Sequence, residues 1–171
     1  MHKAMMDFIV LGLPRSGTTW IANWLTTDRT LCMHDPFSYG MPETWARDER
    51  RFGISCTMAH FFPDWLERFD CPVAVIERDT MACMVSLDEM GLGNDTKRMS
   101  VIKASIDRVY GRRWQFDDLW NEETARNLWD FLLPGISFDT LRYRQLRNMQ
   151  VQPYMPRWEM KPGVFESMRG D

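Results

Sequence analysis

The chain has little of several features that mark particular classes of protein. No apolar run reaches the roughly 18 to 20 residues of a membrane span, because Arg15 and its polar neighbours interrupt the best candidate, residues 8–25. The net charge is only −3, which does not favour a broad electrostatic surface for nucleic acid or for an anionic membrane. We therefore expect neither as a partner, and any anionic ligand must be held by a few well-placed groups.

Cysteine and histidine are also scarce. The three histidines and four cysteines show no ligand spacing and no CxxC pair, so we expect no metal site and no disulfide framework. No cleavable signal sequence is recognisable before the first apolar stretch. These features predict reduced, mostly buried thiols in a cytoplasmic protein. The four cysteines are Cys32, Cys56, Cys71 and Cys83.

The composition that is present is typical of one globular domain. The 171 residues are 44% hydrophobic and 26% charged, which suits a single core. No repeat and no Gly/Ser linker divides residues 1–150, so we expect them to form one domain. Three prolines follow residue 150, and they predict an extended C-terminal arm over residues 151–171.

Apolar periodicity predicts alternating strands and helices. Residues 8–13 are a continuous apolar run of the kind that a strand buried on both faces carries, and the helix after them has an apolar stripe at three- and four-residue spacing. This alternation predicts an α/β domain of three layers, with a mostly parallel sheet of four or five strands and helices on both faces. The predicted strands are 8–13, 30–33, 54–59, 71–77 and 112–116, and later helices are predicted at 61–69, 80–90, 95–110, 121–135 and 137–149.

The turn after the first strand has the form of a phosphate-binding loop. Residues 12–19, GLPRSGTT, match the Walker A outline G-x-x-x-x-G, with Thr18 in the place of the lysine. Backbone amides and a helix N-terminus, which Ser16 is expected to cap, hold a phosphate without that lysine. Arg15 is the only charged residue between positions 8 and 27, so it is the expected cation at the loop. The pattern indicates a P-loop-like domain.

Two motifs together resemble one family. PRSGTTW, residues 14–20, resembles the 5′-phosphosulfate loop of sulfotransferases, which use 3′-phosphoadenosine 5′-phosphosulfate (PAPS) and release the 3′,5′-bisphosphate (PAP). That family also carries an arginine after a central strand and a serine eight residues later, which bind the 3′-phosphate; here they are Arg78, after VAVIE, and Ser86. The resemblance implies cofactor contacts from Pro14, Arg15, Ser16, Gly17, Thr18, Thr19, Trp20, Arg78 and Ser86.

The resemblance extends beyond these motifs. Residues 114–135 resemble the family segment in which a strand leads through a Tyr/Glu/Asp/Leu-type tetrad into a helix, with residues 116–119 in the tetrad position. The whole layout is similar to short sulfotransferase-like proteins of bacteriophages and prophages, which implies the host cytoplasm as the location. The implied activity is transfer of a sulfuryl group from PAPS to a hydroxyl of a small molecule or glycan.

Sulfuryl transfer needs charge neutralisation and a base. Arg15 stays protonated, so it offers charge and hydrogen bonds to the transferred group and the leaving phosphate. By resemblance, Asp35 in HDPF occupies the position of a Glu-Pro pair in carbohydrate sulfotransferases, and His60 in TMAHFFP is similar to the K-T-H-x-x-P of cytosolic ones. We rank Asp35 first as the base, His60 second and His34 third.

Two other functions stay open at this point. One is a nucleotide or metabolite kinase with a degenerate Walker A loop, against which stand Thr18 and the lack of a clear magnesium carboxylate. The other is a non-catalytic nucleotide-binding phage protein, favoured by the short chain and the uncertain base. In the leading interpretation the partners are the nucleotide co-substrate and a hydroxyl-bearing acceptor, with the oligomeric state undetermined.

Overall fold

Five parallel strands form one sheet in the computed structural model, which describes residues 6–40, 45 and 48–149. The sheet order is β2-β3-β1-β4-β5, so the first strand lies in the centre. Every residue of β1 is buried, as its unbroken apolar run predicts. The strands are β1 (Phe8–Gly12), β2 (Thr30–His34), β3 (Arg51–Cys56), β4 (Val73–Glu77) and β5 (Arg112–Gln115).

Six α-helices connect and follow these strands in the described part of the chain. Four of them begin at an Asp or Asn whose side chain accepts a hydrogen bond from a first-turn amide, which compensates donors that the helix itself leaves unpaired. The helices are α1 (Thr18–Leu25), α2 (Pro63–Leu66), α3 (Thr80–Glu89), α4 (Thr96–Asp107), α5 (Glu122–Leu132) and α6 (Thr140–Arg147).

The helices cover both faces of the sheet, which gives the predicted three-layer α/β architecture. One face packs against α1, α5 and α6 through an aromatic cluster that includes Trp24, Trp129 and Tyr143, all almost fully buried. The other face packs against α2, α3 and α4 through residues such as Trp65 and Ile102. The prediction of an α/β domain with helices on both faces is confirmed, and all five strands are parallel.

The third strand lies three residues earlier than predicted. It spans 51–56 instead of 54–59, because the neighbouring strands offer no partner further along: Leu11 pairs with Cys56, and His34 pairs with Ser55. The apolar residues that follow form a short 3₁₀ helix, Ala59–Phe61. His60 therefore lies in this helix and not at the end of a strand.

Two further points concern the extent of the fold. The predicted arm over residues 151–171 lies outside the described residues. Within the described residues, none of the helices combines the length and the apolar character that crossing a membrane requires.

Candidate functional site

The candidate site lies at the carboxyl ends of β1, the central strand of the sheet, and of β4, its neighbour. The chain leaves β1 toward α1 on one face, whereas it leaves β4 toward α3 on the other. Such a reversal opens a crevice between the two connections, and in open parallel sheets this is where ligands bind. The phosphate-type loop follows β1 and Arg78 follows β4, so both predicted motifs meet at this crevice.

The loop has the backbone conformation of an anion nest. Arg15 and Gly17 both have positive φ, 73° and 80°, and the residue between them does not. Alternation of this kind turns successive amide N–H groups toward one concave side. No side chain caps the N-terminus of α1 in the described structure, which leaves its first amides available to a ligand.

Ser16 does not cap this helix, contrary to the prediction. Its Oγ donates to the carbonyl of Leu13 at 2.7 Å, and its amide donates to the same carbonyl at 3.0 Å. The side chain is fully buried, and a Cβ on Gly12 would lie 2.2 Å from its Oγ. Ser16 therefore closes the turn from inside, and the residue at the cap position is Gly17.

Phe116, the residue directly after β5, forms the floor beneath the loop. A Cβ on Gly17 would lie 2.6 Å from the Phe116 ring, so only glycine fits between ring and helix start. The guanidinium of Arg78 lies 4.5 Å from the centre of the same ring. This cation–π contact orients Arg78 while keeping its charge available, because the ring carries no compensating charge.

Arg15, Arg78 and Ser86 form one connected cluster. Arg78 Nη1 donates to the backbone carbonyl of Arg15, and Arg15 Nε donates to Ser86 Oγ at 2.9 Å. Within the described chain neither guanidinium forms an ion pair with a carboxylate. Burial, together with the nearby Arg78 charge, lowers the pKa of Arg15 from its ordinary value. Two nearby cations that form no ion pair within the described chain favour an anion with more than one charge.

A second chain of contacts leads away from the loop. Thr19 Oγ1 is hydrogen-bonded to His34 Nε2, and His34 Nδ1 lies 3.2 Å from Asp35 Oδ2. Asp35 Oδ1 accepts bonds from the amide of Thr57 at 2.7 Å and from its hydroxyl at 3.1 Å. Burial lowers the pKa of His34, an effect that the Asp35 charge opposes. A carboxylate, an imidazole and a hydroxyl therefore lie in series beside the loop.

Backbone strain is found at Arg15 in the loop and at Asp35 beside His34. Among the described residues, Arg15 and Asp35 are the only non-glycine residues with positive φ, at 73° and 40°. A left-handed conformation costs a non-glycine residue roughly 1 kcal/mol or more, and such strain concentrates at functional sites. Both residues were predicted from sequence to act at the site.

The structure buries His60, which is joined to the Asp35 carboxylate indirectly, through Thr57. Its side chain is 1% exposed, Nε2 donates to the carbonyl of Thr57 at 2.9 Å, and its own carbonyl accepts from Ser105 on α4 at 2.9 Å. Burial lowers the pKa of His60 to about 4. A base must touch the acceptor hydroxyl, and a side chain enclosed in this way does not offer that contact.

Of the other predicted cofactor residues, Trp20 and Thr18 have side chains in the core. Trp20 Nε1 donates to the carbonyl of Leu146 at 2.9 Å, and its ring stacks on Trp24 with 5.2 Å between centres. Thr18 is buried, and its carbonyl accepts from Ser55 Oγ at 2.8 Å. Pro14 is half-buried in the turn. The predicted residues that meet at the crevice are Arg15, Gly17, Arg78 and Ser86, and Thr19 connects the start of α1 to His34 and, through it, to Asp35 at the end of β2.

Two residues of the site were not singled out from the sequence for a role in it. Thr57 fixes the Asp35 carboxylate, and Phe116 supports both Gly17 and Arg78. Each directly follows a strand, Thr57 after β3 and Phe116 after β5. Their position at the carboxyl edge of a parallel sheet was the signal that could have identified them.

Within the described ranges, no group of three or more His, Cys, Asp and Glu side chains could hold a metal ion. Comparison of the chain with models of known protein families, with curated proteins and with solved structures finds no match. The function is therefore inferred from the geometry of the crevice.

Proposed function

We propose that this protein binds PAPS at the crevice and transfers its sulfuryl group to a hydroxyl acceptor, a small molecule or a glycan. One observation carries the proposal: Arg15, in a positive-φ loop, is bonded by its side chain to Ser86 and by its backbone carbonyl to Arg78, and neither guanidinium forms an ion pair among the described residues. A simple 5′-phosphate would need the loop alone. The second arginine and the serine suit a second phosphate, which the 3′-position of PAPS supplies.

The amides of the loop and of the first turn of α1 hold the 5′-phosphosulfate in this proposal. They are preorganised donors, so they stabilise the charge that develops on the leaving phosphate without reorganising. Arg15 supplies the fixed positive charge at the transferred group. Arg78 and Ser86 bind the 3′-phosphate, with Arg78 oriented by the Phe116 ring. Loss of the Arg15–Ser86 bond releases both groups toward the ligand.

In the transfer step, the acceptor oxygen attacks sulfur as the bond between sulfur and the bridging oxygen of the 5′-phosphate breaks. The leaving PAP takes the electron pair of that bond, and the proton of the acceptor hydroxyl passes to a base. His34 suits this role because it is more exposed than Asp35, whose Oδ1 accepts two bonds from Thr57. The Nε2 atom of His34 is hydrogen-bonded to Thr19, so in this proposal the proton reaches His34 through the Thr19 hydroxyl. The side chain of His34 is 27% exposed and that of Asp35 13%. His34 therefore ranks above Asp35 and His60 as the base, a reversal of the order expected from the sequence.

Binding of three nucleotides by isothermal titration calorimetry tests the proposal. PAP should bind at least about tenfold more tightly than 5′-AMP, since charge-assisted bonds to the 3′-phosphate contribute roughly 1.5 to 3 kcal/mol. Arg78→Ala should remove most of this difference and leave 5′-AMP binding little changed. Arg29→Ala is the matched control, because Arg29 is exposed and precedes β2 at the opposite edge of the sheet.

Other outcomes separate the remaining functions. Equal affinity for PAP and 5′-AMP contradicts the proposal. Tighter binding of ATP with magnesium, accompanied by phosphoryl transfer, indicates the kinase. Tight binding of PAP without sulfuryl transfer from PAPS to a panel of phenols, alcohols and sugars indicates a non-catalytic binding protein.

A further inference from the structure

The series Thr19, His34 and Asp35 favours one pattern of hydrogen-bond directions. The Asp35 carboxylate accepts from Thr57, and its Oδ2 lies 3.2 Å from His34 Nδ1 without forming a hydrogen bond to it. A negative charge at this distance favours the neutral tautomer that carries its hydrogen on Nδ1. Nε2 is then an acceptor, and it receives the hydroxyl hydrogen of Thr19. Thr19 consequently presents lone pairs, not its hydrogen, to a ligand at the loop.

Binding of an anion at the loop requires Thr19 to donate its hydroxyl hydrogen to the anion instead of to His34. Thr19 has one hydroxyl hydrogen, and it can donate this hydrogen to a phosphate oxygen only after releasing it from His34. Protonation of His34 at Nε2 achieves this release, because the imidazolium donates to Thr19 Oγ1 and frees the hydroxyl hydrogen for the ligand. The same proton adds a positive charge beside the phosphate, while the Asp35 carboxylate stabilises the imidazolium.

We propose that PAP binds at the loop together with one proton, which resides on His34 and acts on the 5′-phosphate through Thr19. This inference rests on the proposed function for the placement of the ligand. It also describes the state that follows transfer, in which the proton of the acceptor hydroxyl is on His34 while PAP occupies the loop. Release of PAP then returns the proton to solvent.

Among the titratable groups in this part of the site, His34 is the one that takes up the proton. From its own strand end, Asp35 contributes a negative charge. From β3, the nearby titratable group is the thiol of Cys56, and burial raises its pKa well above the ordinary value, so it stays neutral. From α1 the contact is the uncharged Thr19, and from the loop Arg15 is directed toward Ser86. In the free protein burial lowers the pKa of His34, which makes it neutral at pH 7 and ready to gain a proton when the anion arrives.

Calorimetry of PAP binding at pH 7.0 in three buffers of different ionisation enthalpy measures the number of protons taken up. We expect wild type to take up at least about half a proton more per PAP than His34→Gln, which reports the contribution of the phosphates alone. Between pH 7 and pH 8 the wild-type association constant should fall by up to about tenfold, with a smaller change in His34→Gln.

A pair of Thr19 variants tests whether Thr19 connects His34 to the 5′-phosphate. Thr19→Ser keeps the hydroxyl and should retain the proton uptake, whereas Thr19→Val removes the hydroxyl and should lose it. PAP binding by wild type with the same uptake as His34→Gln overturns this inference and leaves the proposed function standing. Equal uptake in Thr19→Ser and Thr19→Val also overturns it. Absence of PAP binding by wild type overturns the proposed function and this inference with it.

Discussion

The Nε atom of Arg15 lies 2.9 Å from the Oγ atom of Ser86, although 71 residues separate them in the chain. This bond joins the loop after β1 to the helix after β4 across the crevice. Arg78 completes the link, since it donates to the carbonyl of Arg15. The residues expected to bind two different phosphates of one nucleotide are therefore in mutual contact.

Removal of the Ser86 hydroxyl should weaken PAP binding selectively. We expect Ser86→Ala to lower PAP affinity about tenfold and to change 5′-AMP affinity little, because a hydrogen bond to a charged group contributes roughly 1.5 to 3 kcal/mol. Calorimetry with both nucleotides measures this. Ser100→Ala is the control, since Ser100 is an exposed serine whose hydroxyl donates to Thr96 within α4. Equal losses for the two nucleotides would assign Ser86 to the loop and not to the 3′-phosphate.

Two glycine substitutions distinguish the steric effect of the Gly17–Phe116 contact from the energetic cost of a positive φ. Gly17 and Gly93 have φ of 80° and 73°, but a Cβ on Gly93 meets nothing within 4 Å. Gly93→Ala should therefore cost about 1 to 2 kcal/mol of unfolding free energy, from φ alone. Gly17→Ala should cost more, because its methyl group would collide with the Phe116 ring. Urea unfolding of the two variants measures the difference, and similar losses would contradict the tight fit of the loop on Phe116.

His60 should make the fold less stable in acid. Its folded-state pKa of about 4 lies below the ordinary value near 6.5, so the unfolded chain binds the proton more readily. The stability is fully present above the unfolded pKa and falls as the pH drops from about 6.5 toward 4. Between pH 7 and pH 5 this loss amounts to about 2 kcal/mol.

The variant His60→Gln keeps an N–H donor for the carbonyl of Thr57 and cannot gain a charge. Urea unfolding at pH 7 and pH 5 should show a smaller loss of stability in this variant than in wild type. An unchanged pH dependence would mean that His60 is accessible to solvent, and it would return this residue to the list of candidate bases.

Two tryptophans of α1 offer a matched test of the aromatic core. The indole N–H of Trp20 donates to Leu146, whereas the indole N–H of Trp24 has no hydrogen-bond partner in the described part of the chain. Trp20→Phe removes a hydrogen bond, although the Leu146 carbonyl still accepts from the amide of Met149, whereas Trp24→Phe removes only an N–H that has no partner among the described residues. Trp20→Phe should therefore cost about 1 kcal/mol more than Trp24→Phe. Thermal unfolding compares the two variants. A large loss of PAP affinity in Trp20→Phe, with its stability retained, would instead support the cofactor contact expected from the sequence.

The fold was predictable because its strongest signals are local. The apolar run at 8–13 and the apolar stripe that begins at Trp20 indicate directly which residues are buried. The alternation of strands and helices then implies parallel pairing. The third strand was misplaced because residues 57–62 are as apolar as those before them. Its end is set by the lengths of β1 and β2, which its own sequence does not contain.

The candidate site was predictable as a set of residues and not as an arrangement. Spacing identified Arg78 and Ser86, but nothing in the spacing indicates that Arg15 bonds to Ser86 before a ligand binds. Ser16 has the residue type of a helix cap, yet the turn directs its hydroxyl back to Leu13. The resemblance ranked His60 above His34 as a base, whereas the packing of α4 over His60 encloses that side chain.

The strand order has a consequence for how this site comes into existence. The central strand β1 pairs with β3 and β4, whose residues lie more than 40 positions further along the chain, and Phe116 follows the last strand of the sheet. Pairings of such long sequence separation form slowly, because the entropy of closing the intervening chain is lost before any contact compensates it. The aromatic floor therefore supports the loop only after β5 has joined the sheet. A folding intermediate without β5 would retain the motif residues of the loop but lack the surface that supports them, so recovery of nucleotide binding during refolding should lag behind recovery of helical structure.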